Sequence, residues 1–388
     1  MKCPEAVDML IVSDWYLPAY KAGGPIVSCY NMVKALRGQM RIAVLCGDRD
    51  YQDKEAFEGL ACNKWLQRDG IYVYYLSRKA QKYNRVADLI GVNAPSILYI
   101  NGIFSKVFSI YPLLAGNRLR MRILVAPRGM MAPGALGIKS LKKRSFLLLA
   151  RFLGLYRGIG FHATHEHEAQ HIRKQVGAKA SVKVLPNLPG MPESRSRTEA
   201  YKRERFANKE VGSLRLLTVA RIAPEKNIDF ALDCLAELPG ELSVEWSHVG
   251  PVYSEAYFRS CRQKKLPEGL SVRWLGSRSP QELERIYSQN ELFFLPTRGE
   301  NYGHAIVESL LRSVPVLISD QAPWRDLSAK GFGADLPLGD KKAFVDYICT
   351  VAMMGPLEYR KAFEGLGDAF EKQMSLDRLV QGYVSWLT

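Results

Sequence analysis

The stretch ELFFLPTRGENYGHAIVESL, Glu291 to Leu310, joins an apolar run to a glycine-containing turn and then to a helical pattern. The run ELFFLP reads as a buried strand, and TRGENYGHAIVESL as the turn and helix that follow it. Seven residues separate two carboxylates, Glu300 and Glu308, and Gly303 between them lets backbone approach a ligand closely. The amides of Asn301, Tyr302, Gly303 and His304 would then lie at a helix N-terminus, where they could hold a phosphate. Glu300, before the turn, can accept hydrogen bonds from sugar hydroxyls. Glu308, more than one turn into the helix, reaches a more distant part of the same ligand, and a ribose diol is a natural partner for it. Taken singly, each glutamate is a helix-start or surface charge; the arrangement as a whole asks for a ligand.

The same strand–turn–helix unit recurs along the chain. VDMLIVS, MRIAVLC, IYVYYL, SILYIN, RILVAP, GIGFHAT and VKVLP are strand candidates in the first half, and LRLLTVA, LSVEWSHVG, LSVRWLG, ELFFLP and VPVLIS in the second. Their continuous apolar character suits parallel sheets covered on both faces. Helical patterns alternate with them, which implies βαβ units. Between the two series lies a segment rich in Pro, Ser and charge. The fold class is therefore α/β, with two doubly wound, Rossmann-like domains facing a central cleft. The expected division is residues 1–190, a linker at 191–212, a second domain at 213–365, and a final helical segment at 366–388. Ligands of such sheets bind beyond the carboxyl ends of the strands.

Two further motifs sit at strand ends. Gly23-Gly24-Pro25 precedes an amphipathic helix; the glycines permit close approach of an anion, and proline suits a first helical position. Arg221 and Lys226 flank a turn after LRLLTVA, where a planar guanidinium and a compact ammonium could clamp a diphosphate. Neither domain has a G-x-G-x-x-G run after its first strand, which removes the dinucleotide fingerprint of a dehydrogenase.

The 388 residues carry a net charge of +15, with 47% hydrophobic and 24% charged residues, values of a folded protein with a taste for anions. No nucleic-acid module is present, so nucleic acid is not an expected partner. No segment is long and apolar enough to span a bilayer, and the start does not read as a signal peptide. Seven cysteines without paired spacing suit buried thiols in a reducing cytosol. The densest cationic block, IKSLKKRSFLLLARFLGLYRG from Ile138 to Gly158, reads as a basic, strongly apolar helix. It is either half-buried with a solvated charged face or, over residues 138–153, a surface for anionic lipid.

With these motifs in order, the chain resembles a retaining glycosyltransferase of family 4, in the GT-B superfamily, along nearly its whole length. APRGMMAPGALGIKSLKKRSF, FHATHEHEAQHIRK and VKVLPNLP look like members that build bacterial surface polysaccharides. The resemblance implies a nucleotide-sugar donor, uridine-based ahead of guanosine-based, held mainly by the second domain. Arg221 and Lys226 would neutralise the diphosphate, Gly23 and Gly24 would approach it from the first domain, Glu308 would hold the ribose, and Glu300 with Asn301–His304 the sugar. It implies hexosyl transfer with retention, the leaving phosphate taking the acceptor proton, and neither a bound metal nor another cofactor. It also implies that the last helix braces the first domain. Many members place a histidine after the fourth strand of the first domain; here Asn101 stands there, and Arg128, Gly129, His162 and His165 are alternative cleft residues. The acceptor expected is a lipid-linked saccharide of an envelope polysaccharide, at the inner face of the cytoplasmic membrane. A soluble acceptor, or a non-catalytic nucleotide-binding scaffold, are the rival readings.

Overall fold

A computed structural model describes residues 2–137, 140–192 and 194–388. Ile138 and Lys139, the first two residues of the basic stretch, and Glu193, in the stretch expected as linker, lie outside the described residues. The chain divides into two compact units, Met1–Leu188 with Asp377–Thr388, and Pro189–Leu376.

Unit 1 holds β1 (Met9–Ser13), β2 (Ile42–Gly47), β3 (Trp65–Arg68), β4 (Ile71–Leu76), β5 (Ile97–Asn101), β6 (Arg122–Ala126), β7 (Gly160–Ala163) and β8 (Ser181–Val184), in the order β3-β4-β2-β1-β5-β6-β7-β8. All pairs are parallel except β3 with β4. Unit 2 holds β9 (Ser213–Val219), β10 (Ser243–Val249), β11 (Leu270–Gly276), β12 (Leu292–Leu295), β13 (Val316–Ser319) and β14 (Gly333–Leu336), ordered β11-β10-β9-β12-β13-β14 and parallel throughout. The central strands are apolar along their whole length because helices cover both faces; every residue of β1, β5, β12 and β13 is buried. The last helix, Leu376–Leu387, packs in unit 1, where Arg122 donates to the carbonyls of Trp386 and Leu387 at 2.5 and 2.8 Å.

Each sheet reverses its strand order once. In unit 1 the chain lays β2 on one side of β1 and later returns to lay β5 on the other; in unit 2 the same happens to β9 with β10 and β12. The carboxyl ends of β1 and β5, and of β9 and β12, therefore frame a crevice in each unit, because the loops leaving the paired strands turn away in opposite directions.

Two strands were not among those expected. β3 is a half-exposed edge strand with polar residues, and β14 is a four-residue edge strand opened by a glycine. The first had a readable mark: Asp69-Gly70 forms the two-residue loop between β3 and β4, with φ of 48° and 77°, the preference of a tight hairpin.

Candidate active site at the two sheet crevices

The crevice of unit 2 gathers most of the residues singled out from sequence. After β9 the chain passes Arg221, makes a single 3₁₀ turn over Pro224–Lys226, and enters helix Ile228–Leu235 through Asn227, which adopts φ 58°. After β12 it runs Pro296–Tyr302 and enters helix His304–Leu311 through Gly303, at φ 78°. Backbone and side-chain bonds lace the two loops together. The Glu225 carbonyl accepts from Arg298 N at 2.9 Å and Thr297 Oγ1 at 3.0 Å, and Asn227 Nδ2 donates to the Pro296 carbonyl at 2.9 Å.

This lacing brings Lys226 to Glu300, and the two form an ion pair with side chains only 12% and 14% exposed. Arg221 lies beside it in sequence, its guanidinium 4.4 Å from the Tyr253 ring centre and 3.2 Å from Glu225. Both cations are thus held in place by partners of the protein itself. Tyr302 is buried between His304 and Trp324, and its carbonyl accepts from Trp324 Nε1 at 2.6 Å, which fixes the loop that presents Asn301 and the helix start. Glycine as the N-cap leaves the first turn of helix His304–Leu311 without a capping side chain.

Glu308 lies in the same helix. Its Oε2 accepts from the Tyr287 hydroxyl at 3.1 Å, and Arg312, one turn on, donates to its backbone carbonyl at 2.8 Å and pairs with Glu284 at 2.5 Å. Burial pushes the Glu308 carboxyl above the ordinary range, and the Arg312 charge and the Tyr287 hydroxyl oppose that shift.

Unit 1 offers a second, different crevice. Gly23, at φ 68°, caps helix Gly24–Leu36, which Pro25 opens. Asn101, at the end of β5, is 3% exposed and fully engaged: its Nδ2 donates to the Pro25 carbonyl at 3.1 Å and to Ser13 Oγ at 3.2 Å, and its Oδ1 accepts from Arg128 Nε at 2.7 Å. Arg128 also donates to Asn187 and, at 3.1 Å, to the Tyr99 hydroxyl. Gly129 N donates to Glu168 at 2.6 Å, and His165 caps helix Glu166–Val176. Asn101 was expected at the sugar; it is instead a strut between the glycine-capped helix and Arg128.

His162 needs the same correction. It was expected in the cleft, but it points into the interior of unit 1 with 1% exposure. Nδ1 meets the Tyr99 hydroxyl at 2.6 Å, and Nε2 meets the Leu185 carbonyl at 2.9 Å and the Tyr383 hydroxyl at 3.0 Å. Burial, then the Arg128 charge, holds its pKa down to about 3, so it stays neutral. Strand alternation is the reason: β7 turns this side chain toward the last helix.

Two acidic features escaped the sequence reading. Asp14 follows β1 directly, at the crevice, and accepts from Ser105 Oγ at 2.6 Å; burial pushes its carboxyl up to about 6. A polar residue immediately past the first apolar strand was the available signal, since strand carboxyl ends carry ligand groups. The chain also has one Asp-x-Asp triplet, Asp48-Arg49-Asp50. Its carboxylates are spent on the protein: Asp48 binds Arg49 at 2.9 Å, and Asp50 accepts from Tyr20 N at 2.8 Å, Lys21 N at 3.1 Å and Tyr51 N at 2.6 Å, shaping the loop that leads to Gly23.

Residues 201–364 match the family described as glycosyl transferases group 1. No curated protein matches the chain. Among solved structures, HepE from Anabaena, in complex with UDP and glucose, is similar at 16% identity over 98% of this chain and 99% of its own, with a TM-score of 0.71. WaaG, a glycosyltransferase involved in lipopolysaccharide biosynthesis, follows at 12% identity, 98% and 99% coverage and a TM-score of 0.65. Sucrose-phosphate synthase from Thermosynechococcus elongatus gives 14% identity, 97% and 99% coverage and 0.61. At these identities the likeness establishes the GT-B fold for the whole chain.

Proposed function

We propose, from the match of residues 201–364 to the group 1 glycosyl transferases and from the GT-B fold, that the chain is a retaining hexosyltransferase. It takes its sugar from a nucleotide-sugar donor, a UDP-sugar ahead of a GDP-sugar, and passes it to a lipid-linked saccharide of an envelope polysaccharide. It works at the cytoplasmic face of the membrane without a bound metal. The observation that carries the reading is the Lys226–Glu300 ion pair at the unit 2 crevice, with Arg221 beside it and an uncapped helix start at Gly303. HepE, which shares the fold, binds UDP and glucose, and WaaG serves lipopolysaccharide synthesis; both fit a donor and a product of this class.

In this reading Lys226 exchanges Glu300 for the diphosphate of the donor. The exchange neutralises the leaving group and frees the Glu300 carboxylate for sugar hydroxyls. Arg221 adds a second cation, and the amides of Asn301–His304 meet the sugar and phosphate. Glu308 takes the ribose, with Tyr287 and Arg312 fixing its orientation. Charge developing on the phosphate in the transition state meets cations already in position, which is the main catalytic lever open to such a site.

Thermal-shift titration with UDP, GDP, ADP and their common sugars, with and without EDTA, tests this. A ligand that binds only the folded state raises the midpoint with concentration. A shift with a uridine nucleotide, unchanged by EDTA, is the expected result. No shift with any nucleoside diphosphate would remove the nucleotide-sugar reading.

A further inference from the structure

From Leu89 to His165 the chain carries eleven Lys and Arg and no Asp or Glu. A run of this length without an acidic residue adds positive charge to unit 1, though Arg122, Arg128 and Lys143 within it are turned to partners of the protein. The same segment contains helix Ser140–Phe152, which has two apolar faces rather than one. Leu147 and Ala150 are buried on one side, while Leu141, Leu148 and Phe152 share the opposite side at 82%, 70% and 88% exposure. The spacing from 141 to 148 to 152 follows the helical repeat, so these three form one stripe. Arg144 and Arg151 run along one edge of that stripe, one heptad apart. A monomer does not leave such a stripe in water without a partner for it.

Beside that edge lies a cavity of about 360 Å³, within the range of roughly 300–1,000 Å³ typical of small-ligand pockets. Its floor is apolar, with Met131, Leu136 and Leu147. Its rim brings Arg144 and Arg151 from the first helix together with Lys174 and His171 from helix Glu166–Val176. No acidic residue lines it. A rim of fixed cations over an apolar floor, open beside an exposed apolar stripe, complements an ion with a hydrocarbon tail and does not complement a fully water-soluble one. Lys143, although part of the basic run, turns away to donate to the Ala135 carbonyl at 2.6 Å, so the basic residues of this helix do not act as one patch.

We propose that this cavity is a binding site for the phosphodiester headgroup of an anionic bilayer phospholipid, whose acyl chains lie along Leu141, Leu148 and Phe152. Arg144, Arg151 and Lys174 hold the phosphate, and the lipid seats unit 1 on the membrane. The proposal rests on the membrane-face reading above and deepens it, because it assigns a discrete lipid site in place of diffuse attraction.

Flotation with phosphatidylcholine vesicles, with and without phosphatidylglycerol, tests both levels. Three variants are compared with the unaltered protein: Arg151→Gln with Lys174→Gln at the rim, Lys142→Gln with Arg157→Gln as an equal loss of charge away from it, and Leu148→Ser with Phe152→Ser in the stripe. All six residues are exposed or half-exposed except for their helix backbones, so folding is retained and checked by circular dichroism. The expected result is floating only with phosphatidylglycerol, and a rim variant at least tenfold weaker than its charge-matched control. Equal weakening of the two charge variants overturns the discrete site while leaving the membrane reading in place. No flotation of the unaltered protein removes both. In a second arm, dihexanoyl phosphatidylglycerol below its micelle concentration should raise the melting midpoint of the protein but not of the rim variant. An equal rise with inorganic phosphate would show that the cavity takes free phosphate, and would overturn the lipid assignment.

Discussion

The two crevices occupy equivalent places in their sheets, yet they handle charge in opposite ways. At the β9–β12 crevice the charged groups are paired: Lys226 with Glu300, and Arg221 with Glu225. At the β1–β5 crevice Asp14 takes a hydrogen bond from the Ser105 hydroxyl, while Arg128 is taken up by Asn101, Asn187 and the Tyr99 hydroxyl. A paired crevice is built to exchange one anion for another, since its cations are already desolvated and oriented. At the second crevice burial raises the Asp14 carboxyl to about 6, and the Ser105 group that it meets is a hydroxyl, not a cation. The same topology thus carries two different charge arrangements, with side-chain pairing as the difference.

The largest effect expected from breaking this contrast is at Glu300. Glu300→Ala removes the carboxylate proposed to face the sugar and releases Lys226 from its ion pair. Transfer should fall by about 10²–10³-fold, the usual scale for losing one transition-state contact. UDP binding should hold or tighten, because Lys226 is then free for the diphosphate. Steady-state transfer measured beside isothermal titration of UDP separates the two, and parallel loss of both would mean that Glu300 serves only to place Lys226.

Next in size is an acid effect that sets one interior against the other. Unit 1 buries His162 with both ring nitrogens bonded, and unit 2 buries His248 between Trp246 and Trp274 with neither nitrogen bonded. Burial is the first cause of a pKa near 3 in both. Folding therefore excludes a proton that the unfolded chain takes up below about pH 6.5. The stability present above that pH is lost as the pH falls, by about 2 kcal/mol per histidine at pH 5. His248→Phe should remove its share of this loss and leave stability at pH 7 unchanged or raised. His162→Phe should lower stability at pH 7 by about 1–3 kcal/mol, because it strands the Leu185 carbonyl and takes one partner from each of the Tyr99 and Tyr383 hydroxyls, which keep Arg128 and the Pro186 carbonyl. Urea midpoints at pH 7 and pH 5 for the two variants check the pair.

These cases also show what a sequence makes legible. Central strands such as ELFFLP were readable because burial on both faces leaves an unbroken apolar run, and the loops after them because strand ends carry the ligand groups of this architecture. The direction of a single side chain was not readable. Asn101 and His162 stand at the right strand ends but turn inward, and only the pairing of β5 and β7 with their neighbours shows it. Asp14 and Asp50 escaped because their partners are distant in sequence: Ser105 lies 91 residues away from the first, and the loop at Tyr20 and Lys21 lies 30 and 29 residues from the second. The Lys226–Glu300 pair spans 74 residues, and its two members were chosen separately for roles that the fold then brought together.

A smaller effect is expected at Asp14. If this carboxylate meets an acceptor hydroxyl, kcat/KM for the acceptor should rise as the pH passes upward through about 6, where the group ionises. Asp14→Asn should flatten that limb and lower the plateau by about tenfold, near the low end of the range for a positioned proton acceptor. UDP binding, proposed for unit 2, should not move. A pH profile that keeps its limb in the variant would assign the titration to another group.

The smallest contrast lies in the glycines that cap the crevice helices. Gly23 and Gly303 are both in the left-handed half of backbone space, at φ 68° and 78°. Gly303, at ψ 60°, lies in the left-handed helical well, where alanine costs about 1 kcal/mol, whereas Gly23, at ψ −124°, lies outside it, where a side chain is strained further. Their surroundings differ. A Cβ on Gly23 would meet nothing within 4 Å, whereas one on Gly303 would come within 2.7 Å of Ile306 Cδ1. Ile306 is fully buried in the unit 2 core, so it yields only by disturbing its neighbours. Gly303→Ala should therefore cost about 1 kcal/mol beyond its backbone strain, a packing contribution that Gly23→Ala lacks. The strained turn at Gly303 also carries the Asn301–His304 amides, so the same variant should weaken UDP-sugar binding more than UDP binding. A urea midpoint unchanged by Gly303→Ala would show that the helix start at Gly303 shifts freely, and a site that shifts freely could not be the preorganised half of the pair.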